Sequence, residues 1–175
     1  MVRLKNRYIC FEMQFETAGD AKDPLSKQSE TNKHRPSSTL SAKVLLALIR
    51  EQVKLNFGDS GAGRILGGLQ VKHLGQRTQL AIIKVPRDHC KMVQSALVLI
   101  THVQKQPCTV CVRHVSGTIK KCQRAAIRTD RELIISWYRK QQVLSKAGVT
   151  PATGNNCSLI DMLKQSESNI SALEL

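Results

Sequence analysis

Aromatic side chains are nearly absent from this chain: one Trp, two Tyr and three Phe make up 3% of its 175 residues. None falls between Leu69 and Val85, so the central strands expected there offer no ring on which a base could stack. Acidic residues are scarce as well, 13 against 27 Lys and Arg. They are scattered, and nothing among them assembles the paired carboxylates of a nuclease site. Long apolar runs are also missing: the longest strictly apolar stretch is Val44 to Ile49, where a membrane span takes roughly 20 residues. The opening Met1-Val2-Arg3-Leu4-Lys5-Asn6-Arg7 has no apolar core of the signal-peptide kind, so an intracellular chain with its six cysteines reduced is expected. Enzyme signatures are lacking too. The five histidines show no metalloprotease spacing, no serine sits in a nucleophile elbow, and Gly58-x-x-Gly61-x-Gly63 is not followed by the Gly-Lys-Ser/Thr of a phosphate loop.

What the chain has in excess is positive charge. The formal net charge is +14, and residues 141–175 contribute none of it, holding Lys146 and Lys164 against Asp161, Glu167 and Glu174. The surplus lies in residues 1–140, where it would draw nucleic acid by counterion release. An anionic membrane surface would be attracted too, but a chain with one Trp and no long apolar stretch has little to insert.

The charge concentrates in Val115-Ser116-Gly117-Thr118-Ile119-Lys120-Lys121-Cys122-Gln123-Arg124, which reads as a strand turning into a basic helix. Stepping about 100° per residue from Ile119 puts Ile119, Cys122, Ala126 and Leu133 on one side. Lys120, Arg124, Arg128 and Arg131 fall opposite. Seven Lys/Arg face only Asp130 and Glu132 between residues 117 and 140, whereas an ordinary solvated face mixes signs. A helix anchored by one side and cationic on the other is suited to lie along phosphates. The Ser116-Gly117-Thr118 turn caps this helix and would also leave backbone N–H groups for a phosphate.

Elsewhere the two structural periods alternate. Residues 2–15 read as a largely buried strand, and 17–37, rich in Asp, Lys, Ser and Pro, as a solvated insertion. Ser37, Ser38 and Thr39 are positioned to cap a helix with Leu45, Leu48, Ile49 and Val53 on its buried side, while Lys43, Arg50 and Lys54 share another face. Gly58 to Gly63 is expected to end it. Strands follow at 69–74 and 80–85, then a helix after Pro86 that buries Cys90, Val93, Leu97 and Ile100. A fourth strand at 108–115 precedes the basic helix. This order predicts an α+β fold of the split βαβ type, ferredoxin-like and RNA-recognition-like: an antiparallel sheet with helices on one face, plus an extra C-terminal basic helix. Residues 1–140 form the domain. Residues 141–175 read as a polar, slightly acidic, disordered tail in which 158–164 has the spacing of a short docking helix.

Cys108, Cys111, His114 and Cys122 are four potential zinc ligands. On a strand, however, residues three apart point to opposite faces, so buried thiols and no metal site are expected. The CxxC also lacks the helix start on which redox motifs sit.

The opening Met1-Val2-Arg3-Leu4-Lys5-Asn6-Arg7-Tyr8, together with Asn56-Phe57-Gly58-Asp59, Arg87-Asp88-His89-Cys90 and Val115 to Lys121, resembles the Pop-five family. Its members are small protein subunits of eukaryotic ribonuclease P and ribonuclease MRP, and the similarity is strongest to fungal members. The resemblance covers roughly residues 1–140 and leaves out 17–37 and the region after 141. It implies a noncatalytic, RNA-binding protein in a ribonucleoprotein that removes the 5′ leader of precursor tRNA and processes ribosomal RNA precursors, in the nucleus and nucleolus. It implies that the RNA, not the protein, holds the catalytic Mg2+ and that the protein binds no cofactor. The implied partners are ribonuclease P RNA, MRP RNA, a second small subunit of RNA-recognition-like fold and the barrel-shaped Rpp-one subunit. Mapped onto this chain, RNA contacts are expected at Arg3, Lys5 and Arg7 and at Lys120, Lys121 and Arg124, joined by the turn at Ser116, Gly117 and Thr118 and by the ridge residues Arg128 and Arg131. Two other readings stay open on the residues alone: an RNA-binding protein of ribosome assembly, and a protein-only dimerisation module.

Overall fold

Central strands covered on both faces must be apolar nearly throughout, and two strands here meet that condition. β1 (Asn6–Phe15) is buried without interruption from Tyr8 to Met13. β3 (Leu80–Pro86) is buried from Leu80 to Ile83 and again at Val85. The computed structural model describes residues 5–15, 40–104, 106–146 and 159–173, with 140–146 as helical backbone only. In it, β1 and β3 are neighbours in an antiparallel five-stranded sheet of order β2-β3-β1-β5-β4, with β2 at Gln70–Leu74, β4 at His102–Val103 and β5 at Gln106–Ser116. Leaving aside the two-residue β4, this is the strand order of a split βαβ fold, as expected from the sequence.

One face of the sheet carries α1 (Ala42–Ile65) and α2 (Cys90–Val98), which follows a 3-10 turn at Arg87–His89. Ile9, Phe11, Met13, Ala81, Ile83 and Val85 point toward them and meet Leu45, Ile49, Val53, Val93 and Leu97. The alternate residues Tyr8, Cys10, Leu80 and Ile82 point the other way. There they meet Ile119, Cys122 and Ala126 of α3 (Ile119–Lys146) and Ile170 of α4 (Leu159–Ser171). The molecule therefore has three layers, and the extra helices close the outer face of the sheet.

Several local expectations are corrected. The cap of α1 is Ser41, whose Oγ accepts from the Val44 N–H at 3.3 Å; Ser37, Ser38, Thr39 and the 17–37 insertion lie outside the described residues. Gly58 does not end α1 but kinks it: its φ of 69° and ψ of −172° are open almost solely to glycine, and the helix resumes to Ile65. The basic helix runs to Lys146, past the expected boundary, and the region behind it supplies α4, which packs back against α3.

The buried stripe of α3 also differs from the projected one. It contains Ile119, Cys122, Gln123, Ala126, Asp130 and Ile134, whereas Leu133 is only half-buried. Polar groups enter it because each finds a partner. Gln123 donates its Nε2 to the Ile170 and Leu173 carbonyls at 3.0 and 2.8 Å, closing the C-terminal end of α4. Asp130, 3% exposed, accepts from the Thr78 hydroxyl at 2.6 Å and from the Ser166 hydroxyl. It thereby ties α3 to the β2–β3 turn and to α4.

Ile134→Ala should therefore destabilise the fold by about 2–5 kcal/mol and Leu133→Ala by distinctly less, as read from denaturant unfolding of the two variants. His73 supplies a pH test. Burial pushes its imidazole below the usual range, with the Asp130 charge partly offsetting this. A lowered folded value means that the unfolded chain binds the proton first, so stability is complete above pH 6.5 and is lost as pH falls from there through the folded value. Unfolding free energies measured across that window should fall more steeply for the parent chain than for His73→Gln.

Candidate nucleic-acid interface

Strand register brings three chain segments to one end of the sheet. Asn6 of β1 lies opposite Pro86 of β3, and Tyr8 lies opposite Ser116 of β5. The start of β1, the exit of β3 and the exit of β5 are thus side by side, and α3 leaves from the last of them. The Arg87 N–H donates to the Lys5 carbonyl at 2.9 Å, fastening the first segment to the second. Arg7 joins the first to the third: its guanidinium lies so close to Gly117 that a Cβ there would sit 2.8 Å from an Arg7 nitrogen. With no side chain at Gly117, the Arg7 guanidinium takes up that space.

The turn into α3 is a hydroxyl-closed one. Ser116 Oγ accepts from the Thr118 N–H at 3.2 Å, and the Thr118 carbonyl accepts the Cys122 N–H at 3.3 Å. The Thr118 N–H is therefore committed inside the protein, as in an ordinary helix cap. The first helical N–H groups that follow belong to Ile119, Lys120 and Lys121, in the turn where the helix dipole favours an anion.

Because Ile119, Cys122 and Ala126 are held against the sheet, the opposite side of α3 must face outward. Lys120, Lys121, Arg124 and Arg128 are all exposed, and none forms an ion pair with a described residue. Lys5 is exposed beside them in the fold and Arg7 is half-buried; Arg3 lies outside the described residues. Arg131 is also exposed, but its guanidinium is 2.6 Å from Glu167 of α4, so it stands apart from the unpaired set.

Two cations at the same end were not singled out from the sequence. Arg87 is exposed, and Lys84 is half-buried opposite Tyr8. Strand alternation could have found Lys84, because it shares the pleat of Leu80 and Ile82 and so points to the face that carries α3.

Other basic groups are used internally. Arg113 sits at the β-bulge between β1 and β5 and donates through Nε and a terminal nitrogen to one oxygen of Glu12 at 2.9 and 2.6 Å. Glu12 is 4% exposed, and a buried carboxylate needs such a partner. The hydrogen bond to Glu12 raises the Arg113 pKa further above its ordinary range. Of the basic face expected on α1, Lys43 is exposed and two members are engaged. Arg50 donates to the Leu66 carbonyl at 3.2 Å, and Lys54 pairs with Asp59 at 3.1 Å.

The outer sheet face, where many folds of this shape stack bases, is occupied by α3 and α4. The four potential zinc ligands do not converge. Cys108 belongs to the core under α1 and α2, Cys122 to the opposite core. Among the described residues no three His, Cys, Asp or Glu side chains are grouped to hold a metal. Cys122 instead meets Cys10, and their contact together with burial pushes the Cys10 thiol far above its ordinary range, where thiolate chemistry is suppressed.

Comparison with known proteins places this arrangement. Residues 7–127 match the Rpp14/Pop5 family. The ribonuclease P/MRP protein subunit POP5 of Schizosaccharomyces pombe is 36% identical over 134 residues, covering 77% of this chain and 91% of that protein. The subunit of the same name from Saccharomyces cerevisiae is 35% identical over 138 residues, covering 77% and 80%. The one from Homo sapiens is 26% identical over 179 residues, covering 99% and 100%. A chain from the cryo-EM structure of yeast ribonuclease MRP aligns with a TM-score of 0.44 at 13% identity, over 68% of this chain and 79% of that one, a likeness too distant to weigh in the assignment. On the match over residues 7–127 and the identity to the two fungal proteins, the chain belongs to the Rpp14/Pop5 family.

Proposed function

We propose that this protein is a noncatalytic, RNA-binding subunit of a ribonuclease P/MRP ribonucleoprotein. Membership of the complex is supported by its relatives, which are themselves ribonuclease P/MRP protein subunits. The RNA-binding role is supported chiefly by one structural observation: α3 is seated on the sheet by its apolar side and turns Lys120, Lys121, Arg124 and Arg128 outward without acidic partners among the described residues. Point charges on a rigid helix recognise phosphate position rather than base identity, so the favoured ligand is a folded RNA whose backbone runs along α3. Lys5, Arg7 and Arg87 extend the same surface around the N-terminal end of that helix.

In this reading the RNA carries the chemistry, the cleavage of the precursor tRNA 5′ leader and of ribosomal RNA precursors, with Mg2+ bound to RNA rather than to the protein. The protein holds a segment of that RNA in place. Its partners are then ribonuclease P RNA, MRP RNA, a second small subunit of similar fold and the barrel-shaped Rpp-one subunit, and its place is the nucleus and nucleolus.

The purified chain and a variant with Lys120, Lys121, Arg124 and Arg128 all changed to Ala should be compared for binding to ribonuclease P RNA over a salt series. The expected result is weaker binding and a log–log salt slope shallower by about 3 to 4, near 0.9 for each phosphate no longer neutralised. The melting temperature should move little, since each exposed substitution costs within about 0.5 kcal/mol. An unchanged slope would remove RNA binding from this face of α3.

A further inference from the structure

Lys120, Arg124, Arg128 and Arg131 follow one another along α3 at intervals of four, four and three residues. At about 1.5 Å of rise per residue, they stand about 6, 6 and 4.5 Å apart along the helix axis. Among the described residues, the first three have no carboxylate partner. Arg131, the last in the line, has one: its guanidinium donates to Glu167 of α4 at 2.6 Å.

Other residues bring that carboxylate to Arg131. Gln123 holds the C-terminal end of α4 by its carbonyls, and Met162 and Ile170 are buried. Ser166, next to Glu167, donates to Asp130, next to Arg131. The Arg131–Glu167 pair itself lies at the surface, its side chains 51% and 43% exposed, where the attraction of an ion pair is weak. The seat of α4 therefore imposes the pairing, and does not depend on it. A guanidinium offers a carboxylate the same donors that it offers a phosphate, so Glu167 takes on Arg131 the place of a phosphate.

We infer that Glu167 limits the RNA footprint on α3, withholding Arg131 so that the phosphate contacts end at Arg128; this rests on the RNA-binding reading proposed above. Glu167 is then a negative determinant of specificity. A backbone that tracks Lys120, Arg124 and Arg128 meets a carboxylate at the next position instead of a free cation. RNA that leaves the helix there is favoured over RNA that continues toward the C-terminal end of α3. If Glu167 served only to pin α4, its charge would have no bearing on RNA affinity.

The test measures binding of ribonuclease P RNA over a salt series by the full chain and by Glu167→Gln, each with Arg131 present and with Arg131→Ala. Glutamine keeps the size of the side chain and removes its charge, and the melting temperature should move little. Releasing one cation to a phosphate should steepen the log–log salt slope by about 0.9, which amounts to roughly eightfold tighter binding at about 0.1 M salt, counted from a reference of about 1 M. With Arg131→Ala the same substitution should gain less than about twofold, because the effect passes through Arg131. Unchanged affinity and slope on Glu167→Gln would overturn the inference, and so would an equal gain with and without Arg131. The variant with Lys120, Lys121, Arg124 and Arg128 changed to Ala separates the two readings. An unaltered slope there would remove RNA binding from α3 and this inference with it, whereas a shallower slope beside a silent Glu167→Gln would overturn this inference alone.

Discussion

The architecture depends on the seating of α3 across the outer face of the sheet. Ile119, Cys122 and Ala126 cover Tyr8, Cys10, Leu80 and Ile82, and without that cover four apolar side chains of the two central strands would face water. A buried Ile or Leu side chain contributes about 1.5–3 kcal/mol, so this layer supplies a large share of a typical net stability of about 5–15 kcal/mol. The seat also has polar specificity: Asp130 joins α3 to Thr78 and Ser166, and Gln123 closes the end of α4. Such bonds add little net energy when made but cost about 1–3 kcal/mol when one partner is removed. They therefore fix the rotation of α3 about its axis, and with it the direction in which its cations point.

Charge is distributed with the same division of labour. Four of the acids are drawn inward or into pairs, Glu12 on Arg113, Asp59 on Lys54, Glu167 on Arg131 and Asp130 on two hydroxyls, while Glu51, Asp88 and Glu132 are exposed. What is left unpaired along α3, among the described residues, is a run of four cations next to the end of the sheet where Lys5, Arg7 and Arg87 meet. Paired and buried charge holds the frame, and unpaired charge is left for an anionic partner. In the function proposed above that partner is the RNA of the ribonucleoprotein, while the fold by itself would name no function.

Much of this was legible in the sequence, because periodicity survives wherever burial is decided by apolar side chains alone. The strands at β1, β3 and β5, the buried positions of α2 and the outward ridge of α3 all follow from spacing. Spacing failed where a polar residue was buried with a partner distant in sequence: Asp130 and Gln123 read as surface until Thr78, Ser166 and the α4 carbonyls are brought to them. It failed also at Gly58, where one left-handed residue kinks a helix that composition alone would end; at α4 the helical spacing of 158–164 was legible, but not that the segment is ordered to Ser171 against α3. Of the site, the ridge was legible as a face, but the approach of Arg7 to Gly117 and of Arg87 to Lys5 is a product of strand register. Nor could sequence show that Arg131 is held by Glu167, because the partner lies on a helix that packs back from a distant segment.

The most direct test of the account is ultraviolet crosslinking of the ribonucleoprotein assembled with the full chain, with crosslinked nucleotides mapped to individual residues by mass spectrometry. The account predicts adducts on the outward side of α3, between Gly117 and Arg128, and around Arg7 and Arg87 at the adjoining end of the sheet. Adducts confined to α1, α2 or the tip of the β2–β3 turn, with none on α3, would contradict it.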